Sequence, residues 1–394
     1  ERIRALEAAD YARPESRPLV PADDESLRAL LWRRQAAAGS EGERLVDEVN
    51  QRLSASRRGQ GAESAIPTAS DLDRLLAGLD RSEALLSYYF DGRSTQALLA
   101  RRGEVRAVDL AGGARIREQL EDLASALSGP RTAVLDQQLE ALGQALLQPL
   151  ARWLPDTVYL LPTGPLRGVP LDALRLGGEY FAEGHVVVNL ASLDALARRS
   201  ASLSDVFRKQ VFLAGNPQEQ GDPFNLEFRA SPDITAVTDR FVGPGLHIIQ
   251  GVALQKHEFE DERFERAVLV HLALAGTMDL EFPDRSRLLL APIAAERGDI
   301  RAFLAPADVR GFNVAAQLVV LSGTAVVGPG LSSFDSRLAF VADFLEAGAA
   351  AVLVSLWPPG ERVSAGFANE FYRGLLDDPN LVDVLAAVKR ARIV

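Results

Sequence analysis

The 394 residues contain no cysteine, which removes thiol catalysis, disulfides and cysteine-type zinc sites together. The groups left to do chemistry are hydroxyls, imidazoles and carboxylates, and three short stretches that follow apolar runs could present them. Ala275-Gly276-Thr277-Met278-Asp279 follows Ala267 to Leu274, Ser322-Gly323-Thr324 follows Leu318 to Leu321, and Trp357-Pro358-Pro359-Gly360 follows Ala351 to Leu356. In an open α/β sheet, ligands and catalytic groups gather at the carboxyl ends of the strands, so these stretches are expected as neighbouring loops of one cleft. A hydroxyl such as that of Thr324 or Ser322 attacks a carbonyl only when a base stands beside it. Of the four histidines, His271 lies inside an apolar run and reads as a packed core residue. His185 and His257 read as surface or packing residues, and His247 falls within a strand-like run.

Other constellations are weaker. Asp279, Glu281 and Asp284 could hold a divalent cation through oxygen ligands, but an acidic surface loop is the simpler expectation. Gly328-Pro329-Gly330-Leu331-Ser332-Ser333 lacks the lysine and the spacing of a phosphate-binding loop. At Trp357-Pro358-Pro359, proline ends a strand's hydrogen-bond ladder and the indole can pack over a cleft. Neither a cofactor nor a metal is expected.

The elements that must position these groups can be read from periodicity. Leu27, Leu30, Leu31, Ala36 and Leu45 recur at helical spacing among many charges, which predicts a solvated helix or helical hairpin. Ser54 to Ser70 is polar and reads as a linker, followed by a helix-sized segment from Ala69 to Leu79. Ala84 to Phe90, Gln96 to Leu99 and Glu104 to Leu110 form short β-rich runs that predict an antiparallel meander. Residues 113 to 151 carry two helical patterns broken near Gly129-Pro130. From Val158 onward the pattern changes. Buried-strand runs (Val158 to Leu161, Val186 to Leu190, Val211 to Ala214, Leu246 to Ile249, Ala267 to Leu274, Leu318 to Leu321 and Ala351 to Leu356) alternate with helical segments. The helices expected between them include Leu193 to Arg199, His257 to Phe264, and Phe334 to Glu346 ending at Gly348. Such alternation predicts an α/β fold, a mostly parallel sheet with helices on both faces.

Composition narrows the function. Acidic residues outnumber basic ones, 54 to 43, and no lysine or arginine stripe is present to neutralise phosphates, so nucleic acid is not an expected partner. No window reaches ~18 consecutive apolar residues, so no membrane span is expected. The first residue is not Met and the last residues still read as helix, as in a piece of a longer protein.

In order and in register, the segments resemble the CHAT domain, the caspase-like C-terminal module of bacterial TPR proteins. VYLLPTGPLRGVPLDAL (Val158 to Leu174) is similar to the family's apolar strand, Pro, small residue, Gly and Leu-x-x-x-Pro. YFAEGHVVVNLAS (Tyr180 to Ser192) and FLAGNP (Phe212 to Pro217) resemble the two segments that follow. His271 to Gly276 is similar to His-x-Ala-x-His-Gly, Leu321 to Thr324 to Leu-Ser-Ala-Cys, and Phe344 to Trp357 with Phe371-Tyr372 to the domain's end. Together they run from about residue 80 to 394.

The resemblance implies a caspase-like fold of the separase type, in which a Cys and a His on neighbouring strand ends hydrolyse a peptide bond. It places the family's second His at Ala275 and its Cys at Thr324, so both members of the dyad are replaced, while Gly276, Ser322, Gly348 and Trp357 match. By strand alternation His271 shares a face with Ala275, yet it sits about 13 Å farther down the strand. Two caspase-like halves are expected, about 80–205 with the meander and 206–394 with the vestigial site, divided at the polar stretch Arg198 to Lys209. Residues 1–79 would be a helical segment and linker, possible end of a TPR array in a cytoplasmic protein. The expected function is a pseudoprotease that binds a protein or peptide and carries a signal from upstream TPR helices. Gly276, Asp279, Ser322, Gly323 and Trp357 would line its cleft. The alternatives are a cryptic peptidase using Thr324 or Ser322, and a small-ligand sensor using the vacated cleft.

Overall fold

The alternating apolar runs fold into two five-stranded sheets. The computed structural model describes residues 69–393 apart from 91–93, 111, 128–132, 162–165, 167, 168, 192, 198–202, 205, 216–230, 242, 243, 278–285, 294–299, 323–332 and 356–360. The helical segment expected over residues 23–53 lies outside the described residues.

Helix α1 (Ala69–Ala77) leads into strands β1 (Glu83–Phe90), β2 (Thr95–Arg101) and β3 (Glu104–Asp109). Helices α2 (Gly113–Leu127) and α3 (Ala133–Leu146) follow, then strand β4 (Thr157–Leu161). Short strands β5 (Arg175–Leu176) and β6 (Glu179–Tyr180) precede the one-turn helix α4 (Phe181–Gly184), strand β7 (Val186–Asn189) and helix α5 (Leu193–Ala197). The first sheet has the order β3-β2-β1-β4-β7; β1, β2 and β3 form the expected antiparallel meander, and β4 and β7 join parallel to β1.

The first sheet is two-sided because its residues alternate. Leu86, Tyr88, Leu99, Val158 and Leu160 face α2 and α3, which present Ile116, Leu120 and Leu123 and then Leu139, Leu142 and Leu146 at helical spacing. Leu85, Tyr159 and Leu161 face the opposite way, toward Leu76 of α1, Leu79 and Leu196 of α5.

The second sheet begins with β8 (Val211–Gly215), α6 (Ser231–Thr238), β9 (Leu246–Gln250), α7 (Glu262–Glu265) and β10 (Leu269–Ala273). A small antiparallel sheet of β11 (Gly276–Thr277), β12 (Arg287–Ile293) and β13 (Ile300–Leu304) interrupts it, followed by α8 (Pro306–Arg310). Strand β14 (Leu318–Ser322), α9 (Ser333–Glu346), β15 (Val352–Val354), α10 (Glu361–Asp377) and α11 (Leu381–Ala391) complete the chain.

The strand order β9-β8-β10-β14-β15 is parallel throughout. Every residue of β8 and β10 is buried, as in a sheet covered on both faces. Phe212, Ala214, Val270, Leu272, Val319 and Leu321 pack toward Phe259, Phe264 and, from α9, Phe340 and Phe344. Val211, Leu213, Leu269, Ala273, Leu318 and Val320 pack toward α6, α10 and α11 through Ile234, Val237, Phe371, Leu375, Val384 and Val388. Leu203 and Val206, from the polar stretch before β8, are buried in this same core.

Three local outcomes have clear causes. The helix expected over His257 to Phe264 is instead a 3₁₀ turn, Lys256–Glu260, and then α7. Asp261 divides them, because its extended backbone lets the side chain accept a hydrogen bond from the Arg263 N–H at 2.8 Å as an N-cap. Helix α9 ends as expected near Gly348, whose φ of +116° suits glycine, and a Cβ there would lie 2.6 Å from the Val314 carbonyl oxygen. Helix α11 starts at Asn380, whose side chain accepts from the N–H groups of Val382 and Asp383. It buries Val384 and Val388 against the second sheet, while Lys389 pairs with Asp172 and Arg390 donates to the Ala182 carbonyl at 3.0 Å. One helix thus ties the segment before β7 to the second sheet. All described residues belong to one compact unit, Thr68–Val394.

Candidate functional site

In the second sheet the chain runs from β8 to β9 on one side and then places β10 on the other, so the strand order reverses between β8 and β10. A crevice at the carboxyl ends of the strands opens at such a reversal. β10 and β14 end there together, with Ala273 opposite Ser322 in the parallel register, and the Leu274 N–H donates to the Ser322 carbonyl at 3.0 Å.

Beyond Ala273 the chain leaves the sheet. Ala275 is half-buried and its carbonyl accepts the Leu289 N–H at 2.8 Å, which starts the small antiparallel sheet. Gly276 pairs with Leu288 so closely that a Cβ would lie 2.6 Å from the Arg287 carbonyl oxygen. A glycine is therefore required where the chain turns from one sheet into the other. Among the expected cleft residues, Ala275, Gly276 and Ser322 are brought together at these strand ends. Asp279, Gly323, Thr324 and Trp357 lie outside the described residues, as do Glu281, Asp284 and the Gly328 to Ser332 stretch.

Directly beneath Ser322 lies a line of polar side chains in the apolar core. His271 is fully buried, and its Nε2 is 2.8 Å from the Ser322 hydroxyl. On the other edge of the ring, Nδ1 is 2.9 Å from the hydroxyl of Tyr372, which α10 lays across this face of the sheet. Burial pulls the His271 pKa from 6.5 down to about 3, so the ring is neutral near pH 7. Burial also raises the Tyr372 pKa well above its ordinary value, and the charge of Asp233 on α6 raises it further. Asp233 is itself buried and accepts the Ser364 hydroxyl proton at 2.8 Å.

His271 is the packed core histidine that its place in an apolar run predicted, but its hydrogen bonds to Ser322 and Tyr372 were not anticipated. The signal lay across strands: His271 stands opposite Val320, so Ser322 is the next residue of β14 on the same face. The other imidazoles are elsewhere. His185 sits on the Phe181 ring, with Nδ1 2.7 Å from the Pro155 carbonyl oxygen. His257 is 71% exposed beside Glu258. His247 lies on β9 with Nδ1 3.2 Å from an Arg263 nitrogen, and burial first, then the Arg263 charge, lower its pKa.

Among the described residues, no group of three or more His, Asp or Glu side chains is placed to hold a metal ion, and no helix is long and apolar enough to cross a membrane. The chain matches no curated protein. The family model of the CHAT domain matches residues 136–394, about two thirds of the chain, beginning within α3 and including both β10 and β14. With a match of that extent over a helix-flanked α/β architecture, the chain belongs to the CHAT domain family, whose scaffold is caspase-like.

Proposed function

We propose that this CHAT domain is a pseudoprotease: a protein or peptide interaction and signalling module that retains the scaffold of a cysteine peptidase without its reagents. What supports this is Ala275, half-buried two residues beyond β10, at the position that the resemblance assigns to the family's base. A methyl group cannot take a proton from any nucleophile at position 324, and threonine without a base attacks an amide poorly. His271 on β10 is enclosed in the core, with its two ring nitrogens engaged by Ser322 and Tyr372.

Retention of Gly276 at its tight crossing supports an intact fold around the lost dyad. A division into two caspase-like halves near 80–205 and 206–394 is part of the same proposal, and the presence of two separate five-stranded sheets supports it. Helix α11, held to both, is a route by which a signal from upstream TPR helices could reach the cleft. A cytoplasmic home accords with such a module.

Incubation with a diverse peptide library is expected to give no cleavage by the unmodified chain and cleavage by Ala275→His with Thr324→Cys. Sequence-selective cleavage by the unmodified chain would refute the pseudoprotease assignment.

A further inference from the structure

The line Ser322, His271, Tyr372 has the arrangement by which a hydroxyl is made nucleophilic: a hydroxyl on Nε2 of an imidazole, and a third group holding Nδ1 of the same ring. We propose that Ser322 is an acyl-accepting nucleophile toward small activated esters, with His271 as its base and Tyr372 positioning that base. The proposal is independent of peptide cleavage at positions 275 and 324.

Ser322 is the last residue of β14, half-buried at the carboxyl end of the sheet, beside β10, one of the two strands between which the order reverses. His271 lies one step below it on the neighbouring strand, with no exposure to water. With the ring proton on Nδ1, that nitrogen donates to the Tyr372 oxygen across the 2.9 Å contact. Nε2 then carries the lone pair and accepts the proton of Ser322. The neutral state of the ring keeps that lone pair available near pH 7.

In the reaction, Ser322 Oγ attacks the carbonyl carbon of an aryl ester and passes its proton to Nε2 of His271. The carbon–oxygen bond to the phenol breaks, and the leaving phenoxide takes the proton back from the imidazolium. A water molecule then attacks the acyl-serine by the same route, releasing a carboxylic acid. Because His271 sits in an apolar core, forming its imidazolium is costly, and the chemistry is confined to acyl donors whose leaving group departs readily. Amides fall outside that class, consistent with a module that does not cut peptides.

The test is labelling of the unmodified chain with an aryl fluorophosphonate, with peptide mapping by mass spectrometry, beside a p-nitrophenyl acetate assay. The expected result is a single adduct on Ser322 in the folded chain, absent after denaturation before labelling, with ester turnover lost in Ser322→Ala. His271→Gln should slow labelling at least tenfold. Tyr372→Phe should lower the limiting labelling rate while leaving the half-saturating probe concentration unchanged, which a purely structural role would not do. No adduct on the folded chain, or an adduct mapped to any other residue, overturns the proposal. Because the mapping is done on the unmodified chain, it does not depend on any variant folding.

Discussion

Acidification should unfold this protein through one identifiable group. His271 is neutral and fully buried, with a pKa held near 3, whereas in the unfolded chain it titrates near 6.5. Above pH 6.5 both states carry the neutral ring and it adds no pH dependence. Between pH 6.5 and 3 only the unfolded state takes up the proton, so stability falls as pH falls through that window. At 1.36 kcal/mol per unit, the loss between pH 7 and pH 5 is about 2 kcal/mol, rising toward about 5 kcal/mol at pH 3.

Few other groups titrate in the upper part of that range, because the chain has only four histidines. The lowered pKa of His247 acts with the same sign, but that residue is present in both proteins of the comparison, so its contribution cancels. Urea unfolding at pH 7 and pH 5, followed by tryptophan fluorescence, should be run on the unmodified chain and on His271→Gln. Glutamine keeps a donor and an acceptor but has no proton to gain. The variant will be less stable at both pH values, so the informative quantity is the difference in slope. The unmodified chain should lose about 2 kcal/mol more than the variant between the two pH values. Equal losses would show that His271 is not the buried neutral group described above, and the neutral base required at Ser322 would lose its support.

Two further changes probe the scaffold around the site. Arg310 on α8 donates to Asp343 on α9 at 2.8 Å, with side chains only 16% and 5% exposed, so Arg310→Met should cost about 3 kcal/mol in urea unfolding by removing a cation from a buried carboxylate. Burial already raises the pKa of Glu346, which Arg310 opposes, so the same variant should move that carboxyl higher still in a carboxylate NMR titration. Gly276→Ala should destabilise by about 1–3 kcal/mol, because its methyl group would lie 2.6 Å from the Arg287 carbonyl oxygen and 2.9 Å from Leu288 Cδ2. Gly184→Ala, with nothing within 4 Å of the added atom, is the control expected to change little by the same measurement.

The second sheet was readable because its strands are buried on both faces. Val211–Gly215, Leu269–Ala273 and Leu318–Ser322 are apolar runs broken only by His271 and the terminal Ser322, and such runs need no knowledge of their neighbours to be recognised. The small sheet of β11 to β13 was not readable. Gly276–Thr277 is two residues long, and Pro292 interrupts β12 at a shift in its register with β13, so neither shows a clean alternation. From sequence, helix α7 reads as part of a longer helix because Asp261 is compatible with a helix by composition, and only its extended backbone reveals the cap.

The polar line under the site was hidden for a different reason, since it depends on register between strands that are far apart in sequence. His271 and Ser322 are joined across β10 and β14, and Tyr372 arrives from a helix a hundred residues after His271. What fixes that register is the apolar alternation of the strands themselves. Val270, Leu272, Val319 and Leu321 must face Phe340 and Phe344, which sends His271 and Ser322 to the face of α10. A slip of β14 by one residue would turn Leu321 toward Tyr372 and Ser322 toward the phenylalanine core, leaving His271 without its hydroxyl partner. The placement of the three polar groups is therefore specified by the hydrophobic residues between them, even though no local motif contains them.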